Sequence, residues 1–161
     1  MLFRSRAGFT GAEIGILQSL REVPGFMAFA AVFILILMRE QTLAIVSLLL
    51  LGIGTALTGW FPSVIGLYCT TVLMSIGYHY YATRQTSLTL QWTTPEKTPE
   101  MLGRIVAVGS ATSIVTFVLI WLTFDFAALN FRWVYMIGGG VTMVATVVCW
   151  IAYPRFPVGV E

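Results

Sequence analysis

The stretch RIVAVGSATSIVTFVLIWLTF, residues 104–124, decides the fold class of this protein. After its opening arginine it contains no charged residue, and it has about the 20 residues that an α-helix needs to cross a bilayer. Its polar residues do not alternate with apolar ones, as they would in a strand of a membrane β-barrel. Because every backbone N–H and C=O in hydrocarbon must be paired within the protein, the stretch is predicted to form a transmembrane helix.

The rest of the chain has the same character. Of its 161 residues, 58% are hydrophobic and 10% are charged, and the mean hydropathy is +0.88. A soluble domain has about 25% charged residues, so the surplus apolar surface is expected to face lipid. The formal net charge is only +2, without a run of Lys or Arg, which argues against a nucleic-acid partner. The sequence predicts one all-α domain over residues 1–161, a polytopic transmembrane helix bundle with the lipid bilayer as its partner.

About five membrane spans are expected, near residues 13–38, 42–60, 64–82, 104–124 and 133–153. The first is interrupted by Arg21, Glu22 and Pro24-Gly25, and a kink is expected there. The polar residues 83–103, which include TTPEKTPE at 93–100, are predicted to form a loop between the third and fourth spans. Within it, residues 85–100 could be either an amphipathic helix on the membrane surface or a solvated linker.

The loops on the two sides of the membrane differ in basic residues. One side holds Arg39, Arg84, Lys97, Arg104 and Arg155, and the other holds Arg4, Arg6 and Arg132. Because cytoplasmic loops are enriched in Lys and Arg, residues 83–103 and the C-terminus are predicted to be cytoplasmic, in a protein of the cell (inner) membrane.

The sequence has no visible catalytic apparatus. It contains one His, no Cys/His cluster, no Gly-x-Ser-x-Gly and no glycine-rich phosphate loop. Cys69 and Cys149 both fall inside apolar runs, where cysteine behaves as a small hydrophobic residue. We therefore expect no enzymatic activity, no metal and no cofactor.

The spacing of the spans is similar to that of helices two to six of a major facilitator superfamily transporter. Residues 11–19, GAEIGILQS, resemble the outer start of that family's second helix. Residues 74–81, MSIGYHYY, then 88–92, LTLQW, and Gly103-Arg104 resemble the end of helix four, the cytoplasmic segment and the start of helix five. The family's longer Gly-x-x-x-Asp-Arg motif between helices two and three is replaced here by residues 38–41, MREQ. The resemblance implies an incomplete N-terminal half of a secondary transporter that moves a small solute by alternating access.

Arg21 and Glu22 are the first candidates for a functional site, because both lie well inside the first predicted span. A charge at the bilayer centre costs about 2.5–3.5 kcal/mol on insertion scales and usually faces a bundle interior or a cavity. Adjacent residues of a helix point about 100° apart, so each is expected to find a separate partner, with Gln18 as a polar neighbour of Arg21. One interpretation is a contact to substrate or coupling ion. The alternatives are a structural charge cluster, or a first span that starts later and leaves the pair at the membrane interface.

Tyr68, Thr71, Ser75 and His79 form the second candidate site, because their spacing places them on one face of the third span. The resemblance implies that this face lines the central cavity, where His79 could relay a proton. The alternative is that Thr and Ser form hydrogen bonds within the bundle while residues 78–81 form an aromatic belt at the interface.

Gly103, Ala107 and Ala111 recur every four residues and predict a ridge for close helix packing in the fourth span. Residues 138–140, GGG, and the pair Gly52/Gly54 are interpreted in the same way. An alternative to the transporter remains open at this point: a small stand-alone membrane protein that acts as an oligomeric, regulatory or assembly partner.

Overall fold

The structure is a computed structural model that describes residues 10–29, 33, 39–125 and 130–152. Within these residues the chain is helical and has no strand, as the sequence predicts. The helices are α1 (Gly11–Phe26), α2 (Glu40–Thr58), α3 (Val64–Trp92), α4 (Thr98–Asp125) and α5 (Phe131–Ala152), and one 3₁₀ turn, Met27–Phe29, follows α1.

Three of the helices, α2, α4 and α5, are long and apolar enough to cross a membrane. They correspond to the second, fourth and fifth predicted spans and support a helical integral membrane protein. Helix α3 is longer, with 29 residues, but its second half is more polar. Helix α1 has 16 residues, and residues 30–32 and 34–38 of the first predicted span lie outside the described residues.

Local signals explain where α1 begins and ends. The Thr10 hydroxyl accepts a hydrogen bond from the Glu13 N–H, and the Glu13 carboxylate accepts one from the Thr10 N–H, which together form a capping box. Pro24 lacks an N–H, and the regular α-helix ends two residues later, at Phe26, where the 3₁₀ turn begins. Pro24 itself lies inside α1, so the kink expected at Pro24-Gly25 stays a prediction.

The loop predicted at residues 83–103 is much shorter in the structure, and that prediction is wrong. Helix α3 continues to Trp92 and α4 begins at Thr98, which leaves only residues 93–97 outside a helix. The segment 79–94 contains no Gly or Pro. Four of its threonine hydroxyls donate to the carbonyl oxygen four residues earlier, those of Thr83, Thr86, Thr89 and Thr93. Its polar side chains thus find partners on their own helix, and polarity alone does not end it.

Helix α2 is the centre of the packing, antiparallel to α3 on one side and to α5 on the other. A Cβ added at Gly77 of α3 would lie 2.5 Å from the backbone N of Leu51. A Cβ added at Gly139 of α5 would lie 2.6 Å from the backbone N of Ala56. Glycine therefore allows backbone contact on both sides of α2. The predicted packing role is confirmed for Gly139, and also for Gly52 and Gly54, which lie against Met143 and Met74.

Candidate functional site

Helices α1 and α3 run parallel and are joined by hydrogen bonds from side chains to backbone. Three hydroxyl groups of α3 donate to carbonyl oxygens of α1 or of the turn after it: Tyr68 to Glu13 at 3.3 Å, Ser75 to Arg21, and Tyr80 to Met27 at 3.4 Å. The His79 ring lies against Gly25, where an added Cβ would be 2.9 Å from the ring Cε1. We call this set of contacts the α1–α3 seam.

The α1–α3 seam includes most of the second candidate site, Tyr68, Thr71, Ser75 and His79, which we call the polar stripe of α3. Tyr68, Ser75 and His79 all contact α1, and Thr71 is buried on the same helix face. These contacts favour the interpretation in which the stripe joins helices within the bundle. Over the length of the seam, this face of α3 is covered by α1.

Arg21 and Glu22 form an ion pair with each other. The distance from Arg21 Nη2 to Glu22 Oε1 is 3.0 Å, and the Arg21 Nε–H donates to the same oxygen at 3.0 Å. The prediction that each residue finds a separate partner is therefore wrong. Both side chains are long and flexible, so they reach around the helix surface and meet although their Cβ atoms diverge.

The ion pair lies on an exposed face of α1. The Arg21 and Glu22 side chains are 58% and 52% exposed, and Gln18 is exposed as well. Gly11, Gly15 and Ser19, which are spaced by four residues, are exposed on the same side. Nothing lies within 4 Å of a Cβ added at either glycine. We call the set Gly11, Gly15, Gln18, Arg21 and Glu22 the open face of α1.

The contacts between helices give the depth of this ion pair in the bundle. Arg21 is level with Ser75, and the neighbouring Gly77 and Met74 contact Leu51 and Gly54 of α2. At 1.5 Å rise per residue, this level is roughly 6–10 Å from the Thr58 end of α2 and roughly 17–21 Å from its Glu40 end. Because α2 is long and apolar enough to cross a membrane, the ion pair is level with the interior of a span.

A second polar cluster, which sequence reasoning missed, joins the start of α2 to the second half of α3. The Glu40 carboxylate accepts hydrogen bonds from Ser87 at 2.9 Å and Gln91 at 3.0 Å, and it lies 3.8 Å from Arg84 Nη1. Arg84 is buried, and its Nε has no hydrogen-bond partner among the described residues. The spacing of Arg84, Ser87 and Gln91 by three and four residues could have identified this face, had the segment been predicted as a helix.

The predicted packing ridge of α4 contacts no other helix among the described residues. Gly103, Ala107 and Ala111 are all exposed, and nothing lies within 4 Å of a Cβ added at Gly103. Among the described residues, helix α4 packs mainly on α3, and Phe124 near its end lies against Phe131 of α5. Its packing role stays a prediction.

The described residues contain no group of three or more His, Cys, Asp or Glu side chains placed to hold a metal ion. Cys69 is exposed, Cys149 is half-buried, and both are free thiols.

The architecture defines a class, a helical integral membrane protein. In comparisons with known proteins, no family model matches the chain and no curated protein matches it either.

Proposed function

We propose that this protein is a membrane transporter of the major facilitator type and that the open face of α1 lines its solute pathway. The observation that carries the proposal is the exposed Arg21–Glu22 ion pair, level with the interior of α2. Charged side chains at this depth are costly in lipid and usually face a water-filled cavity or another protein surface. A pathway for a polar solute supplies such surroundings.

The end of α1 supports the same proposal. Pro24 and the 3₁₀ turn Met27–Phe29 follow Glu22 directly, so the regular helix stops one turn beyond the charges. Transporters commonly place substrate and ion sites near the middle of the membrane at discontinuous helices, where backbone groups are free to bind a ligand. Here the ion pair and the end of the regular α-helix lie next to each other on one chain segment.

In this proposal α3 positions α1 instead of lining the pathway. Ser75 donates to the carbonyl oxygen of Arg21 itself, and Tyr68 and Tyr80 hold the chain on either side of it. The seam thus fixes the height and rotation of the charged turn of α1. His79 has a packing role against Gly25 in this arrangement.

A second candidate function rests on α4. Helix α4 has 28 residues, most of them apolar or small, and the described chain leaves it exposed along nearly all its length. Such a helix could serve for assembly with another membrane protein. In that case the chain is a regulatory or assembly partner.

Solute uptake into proteoliposomes tests the transporter proposal, with a panel of small charged and zwitterionic solutes. Glu22→Gln is expected to abolish most of the uptake while membrane insertion stays normal, because it removes a pathway charge. Glu100→Gln is the matched control, since Glu100 also pairs with an exposed arginine, Arg104 at 2.6 Å, but lies in the first turn of α4. Unchanged uptake by Glu22→Gln, or equal losses in both variants, would contradict the proposal.

A further inference from the structure

We infer that the solute carried along the open face of α1 is a zwitterion of the α-amino acid class, bound with its carboxylate on Arg21 and its ammonium group on Glu22. The inference rests on the proposed function and names the chemical class of solute that the same site would take.

Arg21 uses only one edge of its guanidinium group to bind Glu22. Its Nε and Nη2 atoms both lie 3.0 Å from the same carboxylate oxygen, Glu22 Oε1. A guanidinium group has another edge, formed by Nη1 and Nη2, that can bind a carboxylate through parallel hydrogen bonds. Within the described part of the chain, no hydrogen bond or ion pair reaches Nη1. Arg21 can therefore bind a solute carboxylate while it stays paired with Glu22.

Glu22 likewise keeps one oxygen for another partner. Both contacts from Arg21 go to Oε1, and no donor among the residues that the structure describes reaches Oε2. An ammonium group is a multiple donor and needs more than one acceptor. Gln18 lies one turn earlier on the same exposed face, and its side-chain carbonyl oxygen can accept a further hydrogen bond. Glu22 and Gln18 together thus supply acceptors for an ammonium group.

The net charge of the pair selects against singly charged solutes. Arg21 and Glu22 cancel each other. Glu13 lies nine residues before Glu22, and Arg84 lies nine residues after Ser75, so these other charges of α1 and α3 are each roughly 13 Å away along the helix. A solute with one charge would leave a net charge at the depth of a span, which is costly. A zwitterion adds one charge of each sign and keeps the site neutral.

The contact between the two side chains also limits the distance between the charges of the solute. Because Arg21 and Glu22 touch at 3.0 Å, the second edge of the guanidinium and the second carboxylate oxygen lie close together. In an α-amino acid the carboxylate and the ammonium group are attached to the same carbon, so both can reach their partners at once. A solute whose charges are separated by a long chain would reach only one partner in an extended conformation.

Protection of a cysteine beside the ion pair measures the binding of each solute class. Ser19 is exposed one turn before Glu22, and Ser19→Cys, in the full chain with Cys69→Ser and Cys149→Ser, is treated in membranes with a charged, membrane-impermeant thiol reagent. Three matched sets of probes are compared: L-amino acids with uncharged side chains, which are zwitterions, their amides, which are cations, and their N-acetyl derivatives, which are anions. The zwitterions are expected to give half-maximal protection at a concentration at least about tenfold lower than either other set, the loss expected for one hydrogen bond to a charged group.

Substitution of either charge should change which set protects best. Arg21→Gln leaves only the carboxylate, so the amides should protect at least as well as the amino acids. Glu22→Gln leaves only the guanidinium, so the N-acetyl derivatives should do so. The exchange Arg21→Glu/Glu22→Arg keeps both charges and should keep the preference for amino acids, whereas a misfolded variant would lose protection by all three sets. Glu100→Gln, at the exposed pair with Arg104, is the control that should leave the preference unchanged.

Several results would overturn the inference: equal protection by the three sets, best protection by the amides or the N-acetyl derivatives with the native pair, or no protection by any set. An unchanged preference in both Arg21→Gln and Glu22→Gln would overturn it as well. In each of these cases the reagent still reaches Ser19→Cys, so the water-filled open face of the proposed function would stand. An unreactive Ser19→Cys, beside a fully modified Thr94→Cys, would overturn the proposed function and the inference together.

Discussion

The Ser75 hydroxyl of α3 donates its hydrogen bond to the backbone carbonyl oxygen of Arg21 in α1. This contact joins the helix that carries the exposed charges to a helix that packs closely on the centre of the bundle. The position of the turn of α1 that carries the ion pair is thus set by a contact to its backbone.

Removing this contact is expected to loosen α1. Ser75→Ala should lower the free energy of unfolding in detergent by roughly 0.6–1.7 kcal/mol, between the average and the maximum measured for hydrogen bonds between membrane helices. The control is Ser113→Ala in α4, because Ser113 is exposed and donates only to the Gly109 carbonyl of its own helix. Equal effects of the two substitutions would show that the seam does not hold α1.

Two neighbouring glycines of α5, Gly139 and Gly140, should differ sharply in how well they tolerate substitution by alanine. Gly139→Ala places a methyl group 2.6 Å from both the Ala56 N and the Gly52 O, so the α2 and α5 backbones must separate, at a cost of about 1–3 kcal/mol. At Gly140 nothing lies within 4 Å of the added Cβ. Gly140→Ala should be neutral or stabilising by up to about 1 kcal/mol through helix propensity. Thermal unfolding of both variants checks the difference, and similar melting temperatures would rule out the described packing of α2 on α5.

The stability of the fold should depend on both partners of the Glu40–Arg84 pair. Glu40→Gln leaves the buried Arg84 guanidinium without a counter-charge and should destabilise the fold by roughly 2–4 kcal/mol. Adding Arg84→Met removes the orphaned charge, so the double variant should recover at least half of that loss. Chemical unfolding of the single and double variants is the measurement. A double variant less stable than Glu40→Gln would mean that Arg84 has another partner that matters more.

Much of the fold follows from local sequence, because apolarity over about 20 residues has one structural solution in lipid. Residues 104–124 and the helices α2 and α5 are such segments, and the structure has helices there. The helical state of residues 83–92 is harder to predict, because their threonines and Arg84 are typical of a solvated loop. Their helical state depends on bonds to their own backbone and on Glu40, which lies more than 40 residues earlier in the chain.

The candidate site was predictable in its residues but not in its contacts. The spacing of Tyr68, Ser75 and His79 identified a polar face of α3, and the depth of Arg21 and Glu22 in the first span identified the charges. Which surface each group meets depends on how α1 rotates against α3. That rotation is set by tertiary contacts, such as Ser75 with Arg21 and His79 with Gly25, which helix periodicity does not encode.

The central claim is that the open face of α1 meets water at the depth of a membrane span. The direct measurement is the reaction of Gln18→Cys with a charged, membrane-impermeant thiol reagent, in intact membranes and in the Cys69→Ser, Cys149→Ser background. We expect Gln18→Cys to react at a rate comparable to Thr94→Cys in the exposed turn before α4, while Ala111→Cys on the exposed side of α4 stays unmodified. An unreactive cysteine at position 18, with position 94 fully modified, would contradict the account.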